Sequence, residues 1–248
     1  MSRFYVEPGQ IEGNKIIIRG EDVNHIKNVL RMNIGDEVLI SPGNGLVYTT
    51  RIESMTTEVV ECLIVDCDGG KSELPARITL YQGMPKKDKM DLIVQKAVEL
   101  GATRIVPVMM ERTIVKLDDR RKEEKRLLRW RSISLTAAKQ SGRDIIPEVS
   151  DFMTFKEAVS DASGNDFNLI PYENAKGMSF ARETVAKASG KESIGIFIGP
   201  EGGITYEELE LAENECGAAS ISLGHRILRT ETAGLALLSV LMFNLDKE

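Results

Sequence analysis

Between Lys15 and Asp68 the apolar residues come in short runs separated by polar ones: Ile16-Ile17-Ile18, Val38-Leu39-Ile40, Val47 to Ile52 and Val59 to Val65. Extended segments of this kind bury one face each. Gly35-Asp36 and Pro42-Gly43-Asn44-Gly45 supply turns between them, so the pattern predicts a small β-barrel or meander. One helix interrupts it: Glu21-Asp22 open the segment, Val23, Ile26, Val29 and Leu30 follow at helical spacing, and His25, Lys27 and Arg31 fall toward the other face. The stretch Asp66 to Pro75, rich in Gly, Ser and charge, reads as a linker, dividing the chain into a first domain over 1–70 and a second over 71–248.

After Pro75 strands alternate with helices, the signature of an α/β layer on a mostly parallel sheet. Strands are expected at Ile78 to Gln82, Arg104 to Val108, Asn168 to Pro171, Ser193 to Ile198 and Ala219 to Leu223. A helix capped by Asp88 carries Met90, Ile93, Val94, Ala97 and Val98 on one apolar face and ends at Gly101. Thr205 and Glu208 form a capping box for a helix reaching about Glu215, and Thr230 is placed to cap the last helix. That last helix is apolar on most sides from Ala233 to Leu245, which suits burial against its own sheet and against a partner subunit. A long helix between Leu117 and Gly142 sets Lys122, Lys125, Arg126 and Arg129 on one face and Leu127, Trp130, Ser134 and Ala137 on another.

Charge sharpens this picture. The net charge of −6 hides a segregation: residues 76–143 hold 17 Lys and Arg against 8 Asp and Glu, while the segments on either side are acidic. A basic stripe of this kind, reinforced by Lys116, Arg120, Arg121 and Arg131, suits a surface that meets phosphates; a solvated helix face is the alternative. With 42% hydrophobic and 28% charged residues the chain is expected to fold as a globule. Its longest apolar stretch, Leu235 to Leu245, is well short of the roughly 20 residues that span a bilayer. The N-terminus lacks the apolar core of a secretory signal and three cysteines make no disulfide framework, so a reducing, cytoplasmic setting is expected.

Common nucleotide signatures fail. Gly70-Lys71-Ser72 lacks the earlier glycine of a phosphate loop, and Gly199 to Gly203 has Glu201 where a dinucleotide loop needs glycine. Those glycines still permit close backbone approach at the carboxyl end of an apolar strand, where open α/β sheets bind ligands. The segment Leu223 to Thr230 should emerge on the same edge and bring Arg226 and Arg229 beside them. Cysteines and histidines are too scattered for a metal site, and no G-x-S-x-G elbow is present.

Four motifs, GPEGG (199–203), LGHRILRTETA (223–233), KMDLIVQKAVELG (89–101) and AAKQSGR (137–143), closely resemble the RsmE-type 16S ribosomal RNA uridine-N3 methyltransferases of the SPOUT class. RFYV (3–6) and HIKNVLRMNIGDEV (25–38) resemble that family's N-terminal PUA-like RNA-binding barrel. One position departs from the pattern: Lys139 precedes Gln140 where the family carries Glu. The resemblance implies an α/β fold with a PUA-like β-barrel followed by a trefoil-knot methyltransferase domain, S-adenosylmethionine as cofactor, a homodimer, and 16S rRNA or the small ribosomal subunit as partner. It places the cofactor against Pro171, Tyr172 and Glu173, against Ile198, Gly199, Pro200, Glu201, Gly202 and Gly203, and against Leu223, Gly224, Arg226, Ile227, Leu228 and Thr230. Ile198, Leu223, Ile227 and Leu228 would enclose the adenine.

Uracil N3 carries a proton and attacks poorly until that proton leaves, so Arg229 is the candidate for holding the uridine anion, with Glu173 or Glu231 accepting the proton or orienting groups. N3 lies on the pairing edge, so the target base must be unpaired or turned out. Candidate RNA contacts are Arg3, Lys27 and Arg31 in the barrel, and Lys86, Lys87, Arg112, Lys122, Lys125, Arg126, Arg129, Gln140 and Arg143 beyond it. A methyltransferase of the same class acting on another RNA, or a noncatalytic RNA-binding assembly factor of the same fold, would carry much of the same pattern.

Overall fold

The computed structural model describes residues 1–116 and 119–246. The chain forms two compact units. The first comprises Met1–Glu73 together with Ala138–Ile146, a segment that the sequence reading leaves in the second domain. Its strands are β1 (Arg3–Tyr5), β2 (Ile11–Glu12), β3 (Lys15–Arg19), β4 (Glu37–Ser41), β5 (Leu46–Met55) and β6 (Val59–Gly69), arranged as one sheet in the order β1-β4-β5-β6-β3-β2. The alternation seen in sequence decides what is buried: Ile16 and Ile18, Val38 and Ile40, and Val60 and Cys62 all point into one core.

Two details differ from expectation. The expected linker begins too early, because β6 continues to Gly69: the ten-residue β5 still offers backbone partners there, pairing Thr49 with Asp66 and Leu46 with Gly69. Backbone pairing, unlike burial, does not require apolar side chains. The helix is also shorter than its spacing suggests. Only α1 (Glu21–Asn24) is α-helical, and His25–Val29 forms a π-turn closed by Leu30 N–H donating to His25 O at 2.9 Å. The wider turn breaks the 3.6-residue phase, so Val23 and Ile26 are buried while Val29 and Leu30 are 63% and 39% exposed.

Residues 138–146 are stitched into this unit by buried polar bonds. Asp144, fully buried, accepts from Arg3 Nη1 at 2.7 Å and from the N–H and hydroxyl of Ser72 at 2.7 and 2.6 Å. The Tyr5 hydroxyl donates to the carbonyls of Ala138 and Arg143.

The second unit comprises Leu74–Ala137 and Pro147–Glu248. Its strands are β7 (Arg77–Gly83), β8 (Ala102–Met109), β9 (Glu148–Val149), β10 (Met153–Thr154), β11 (Phe167–Pro171), β12 (Ser193–Ile198) and β13 (Ala219–Ile221). The main sheet runs β10-β8-β7-β12-β11-β13, every pairing parallel, with β9 added beside β8. Its helices are α2 (Lys89–Glu99), α3 (Arg120–Ser141, whose last residues belong to the first unit), α4 (Phe155–Ala162), α5 (Met178–Ala186), α6 (Tyr206–Cys216) and α7 (Thr230–Leu245). The five apolar positions foreseen for α2 are all buried. Asp88 sits at its N-cap without a side-chain bond, so it does not cap as expected. The Thr205–Glu208 box at the start of α6 is complete in both directions. On α3, Leu127, Trp130, Ser134 and Ala137 are buried as the spacing requires; the expected start at Leu117 lies outside the described residues.

An all-parallel sheet places all carboxyl ends on one edge. After β13, at the end of the sheet, the chain returns to its middle, where α7 packs on α2, β12 and β7. Among the described residues no helix is long and apolar enough to cross a membrane.

Candidate active site

That return brings three loops together. The segments following β11, β12 and β13 line one cavity of about 730 Å³, joined by Lys89 from α2, Arg112 from the turn after β8, and Ala233 from α7. Pro171, Tyr172 and Glu173, Ile198 to Gly203, and Leu223 to Thr230 all border it, so every residue assigned to the cofactor from sequence lies on one cavity wall. Its size falls in the range of roughly 300–1,000 Å³ typical of small-molecule sites.

Hydrogen bonds that cross between the loops hold this wall. Thr230 is the first helical residue of α7 and not its cap, a position taken by Arg229. Its hydroxyl donates to Gly199 O at 2.7 Å and accepts from Gln82 Nε2 at 2.9 Å. Gln82 is fully buried and its other amide proton goes to Gly83 O, while Oε1 has no partner among the described residues. The two donations fix the amide, and the amide in turn aims the Thr230 proton at Gly199. Glu208, nine-tenths buried, uses both carboxylate oxygens: Oε2 accepts from Thr205 N and Oε1 from Glu111 N at 2.8 Å. The α6 cap is therefore also a clip on the turn that presents Arg112. Arg112 Nη1 donates to Gly202 O at 3.0 Å, and a Cβ on Gly202 would lie 2.8 Å from that of Arg112, so only glycine fits. Gly203 (φ +75°) and Gly224 (φ +104°) adopt left-handed conformations that side chains resist.

Charge is concentrated at the mouth. Lys89 Nζ lies 3.0 Å from Glu201 Oε1 and 3.0 Å from Glu231 Oε2. Burial pushes the Glu201 carboxyl up, but the Lys89 ammonium and the Lys86 N–H outweigh it and hold the group below its ordinary value. Glu231 behaves alike: against burial, its own backbone N–H and Lys89 keep it low, with Arg229 adding to the effect. Glu231 is therefore a weak proton acceptor. Glu173 is exposed at the rim, and Arg229, also exposed, makes no ion pair among the described residues. Ile198 is 2% exposed and Leu223 and Leu228 are half-buried, while Ile227, 89% exposed, borders the cavity from its open side.

Lys89 and Gln82 are site residues that the sequence reading missed. Lys89 had a signal: a lysine at the first position of a helix opposes the helix dipole and calls for an acidic partner. Gln82, inside an apolar strand, had only its polarity.

The candidate phosphate contacts divide. On α3, Lys122, Lys125 and Arg129 are exposed and Arg126 is half-buried; Arg129 pairs with Asp91 and Lys122 with Asp119. Lys86, Lys87 and Arg112 are exposed in the second unit; Gln140, in the first unit, is also exposed. Arg143 is 4% exposed and paired with Glu73, which leaves it a structural role and removes it from the phosphate contacts. Arg3 is committed to Asp144, and Lys27 donates to Thr56 O; Arg31 is exposed with φ +54°. Lys139 lies over the Tyr5 ring, 5.9 Å from its centre.

A model of the RNA methyltransferase domain matches residues 72–242, and a model of the RNA methyltransferase PUA domain matches residues 18–65. The chain is 36% identical over 252 residues to the ribosomal RNA small subunit methyltransferase E of Bacillus subtilis, covering 99% of this chain and 98% of that one. The chain belongs to the ribosomal RNA small subunit methyltransferase E family. A solved member from Neisseria gonorrhoeae, bound to S-adenosyl methionine, aligns with a TM-score of 0.78 at 34% identity over 98% of this chain and 97% of that one. A methyltransferase from Legionella pneumophila in complex with the same cofactor aligns at 0.78 and 32% identity, over 97% and 96%. The PUA match falls within the first unit and the methyltransferase match takes in most of the second, together with residues 72–73 and 138–146 of the first; the cavity lies wholly in the second.

Proposed function

We propose that this protein methylates N3 of a uridine in 16S rRNA, using S-adenosylmethionine bound in the cavity. The observation that carries the reading is the convergence of the three carboxyl-end loops on one cavity with Arg229, which makes no ion pair among the described residues, at its border. The residues present fit the cofactor: an apolar wall at Ile198 and Leu228, glycine backbone free for close approach at 199, 202 and 203, and charged side chains of both signs, among them Glu173, Glu201 and Arg229, along the lining. When bound, the cofactor supplies an electrophilic methyl carbon on a sulfonium.

The protein must align the base and manage charge. The loops after β12 and β13 fix the methyl donor, while the Arg229 guanidinium faces a uracil oxygen and stabilises the anion left once N3 gives up its proton. Of the two carboxylates, Glu173 is the better acceptor for that proton, because Glu231 is already engaged by Lys89. Exposed cations on α3, with Lys86 and Lys87, hold backbone phosphates while the base is out of its stack. The return of the chain from β13 to α7 is the crossing at which this class ties its knot. A second copy covers the apolar α7 face, where Phe243 is 85% exposed, and the enzyme acts in the cytoplasm.

The test is modification mapping of 16S rRNA in cells lacking the gene, with and without the wild-type protein, alongside calorimetry with S-adenosylmethionine. Loss and restoration of one N3-methyluridine is expected. An unchanged rRNA would point to another RNA, and a folded protein that binds no cofactor would point to a noncatalytic assembly factor.

A further inference from the structure

Lys89 is the first residue of α2, at the positive end of the helix dipole, where an ammonium is disfavoured unless acids surround it. Its two partners come from different parts of the site: Glu201 from the bend after β12 and Glu231 from the first turn of α7, two residues beyond Arg229. They are not equally dependent on it. Glu201 also accepts the Lys86 N–H, at 3.1 and 3.2 Å to its two oxygens, and stays anchored without Lys89. Glu231 Oε2 is buried with no aligned hydrogen-bond donor among the described residues, and apart from its own backbone N–H the carboxylate is held by the Lys89 ammonium 3.0 Å away. The charge of Arg229 already acts on the Glu231 carboxyl. Were Lys89 removed, Arg229 would be the cation on the same helix end that takes its place.

We infer that Lys89 is a positioning residue for methyl transfer: by holding Glu231, it keeps the Arg229 guanidinium unpaired and free to meet the uridine anion. The inference rests on the role given to Arg229 above. It makes Glu231 a potential inhibitor of the site, silenced by the lysine.

The experiment is steady-state methylation by the full-length protein, with S-adenosylmethionine and small ribosomal subunits lacking the modification, checked by thermal melting for each variant. Lys89→Met should lower kcat by about tenfold or more, while KM for the cofactor changes by less than about threefold. Lys89→Arg should retain most of the rate. The decisive variant is Lys89→Met with Glu231→Gln, which removes the stranded carboxylate and should recover most of the lost kcat; a purely structural role for the pair would be worsened by the second change. An unchanged kcat in Lys89→Met, or no recovery in the double variant, overturns the inference. Arg229→Ala is measured beside them: if its turnover is normal, the reading of Arg229 fails, and if its turnover is lost while the double variant stays slow, only the lysine's role fails. Should Lys89→Met not fold, Lys89→Gln with and without Glu231→Gln carries the same comparison.

Discussion

Replacing Thr230 with valine keeps the volume of the side chain and deletes one hydroxyl. That hydroxyl makes two bonds across the cofactor cavity wall, to Gly199 O at 2.7 Å and from Gln82 Nε2 at 2.9 Å, and Thr230 is only 5% exposed. Its loss leaves one proton of a fully buried amide and one loop carbonyl without partners. Each such group costs about 1–3 kcal/mol, so the change should destabilise the second unit by roughly 2–5 kcal/mol. For a unit of this size that lowers the melting temperature by roughly 5–15 °C. Thr230→Ser preserves both bonds and loses a methyl group, a cost of about 1 kcal/mol. Thermal melting of the three proteins measures the stability, and titration calorimetry with S-adenosylmethionine measures the consequence for the loop, which must then be ordered at the expense of binding. The reasoning is refuted if Thr230→Val melts within about 1 °C of the wild type, or if Thr230→Ser is as damaging as Thr230→Val.

Gly203→Val should weaken cofactor binding by about tenfold or more, because the left-handed backbone at φ +75° costs an L-residue about 1–2 kcal/mol and a β-branched one more. Space is not the obstacle, since an added Cβ would meet only Arg112 Nη1 at 3.8 Å, so calorimetry showing normal affinity would mean that the loop need not hold this conformation. Glu201 and Glu231 have lowered carboxyl pKa values in the fold, so their contribution to stability is complete above the ordinary 4.5 and is lost as pH falls through their folded values. Melting curves from pH 6 down to about 3 should accordingly fall less steeply for Lys89→Met than for the wild type. A fragment of residues 1–75 should lack a cooperative thermal transition, because Arg3, Tyr5 and Ser72 lose the partners supplied by residues 138–146; a sharp melt, followed by circular dichroism, would contradict the stitching described.

Local periodicity made much of this molecule legible. The apolar face of α2 and the cap of α6 depend on neighbours three or four positions away, and both were readable in full. Thr230 shows where such reading stops. A threonine before an apolar helix suits a cap, but its actual partners lie 31 and 148 residues away in sequence, and no local pattern announces them. The π-turn at His25–Val29 misplaced two apolar residues by shifting the helical phase, and the polar end of β6 was hidden because strand pairing there uses backbone alone. The cavity loops were legible for a different reason: glycine runs at the carboxyl ends of parallel strands carry their own geometric meaning. Arg143 was misjudged because a basic count does not distinguish a solvated cation from one neutralised in a core, as Glu73 neutralises it.

The stitching of residues 138–146 into the first sheet also sets an order of assembly. During synthesis the N-terminal strands leave the ribosome long before Asp144, so Arg3 and Tyr5 wait for partners while about half the enzyme is made, and Ser72 waits for a shorter stretch. The sheet that begins the polypeptide therefore cannot close until translation has passed α3, yet it still closes before the second unit, which waits for α7.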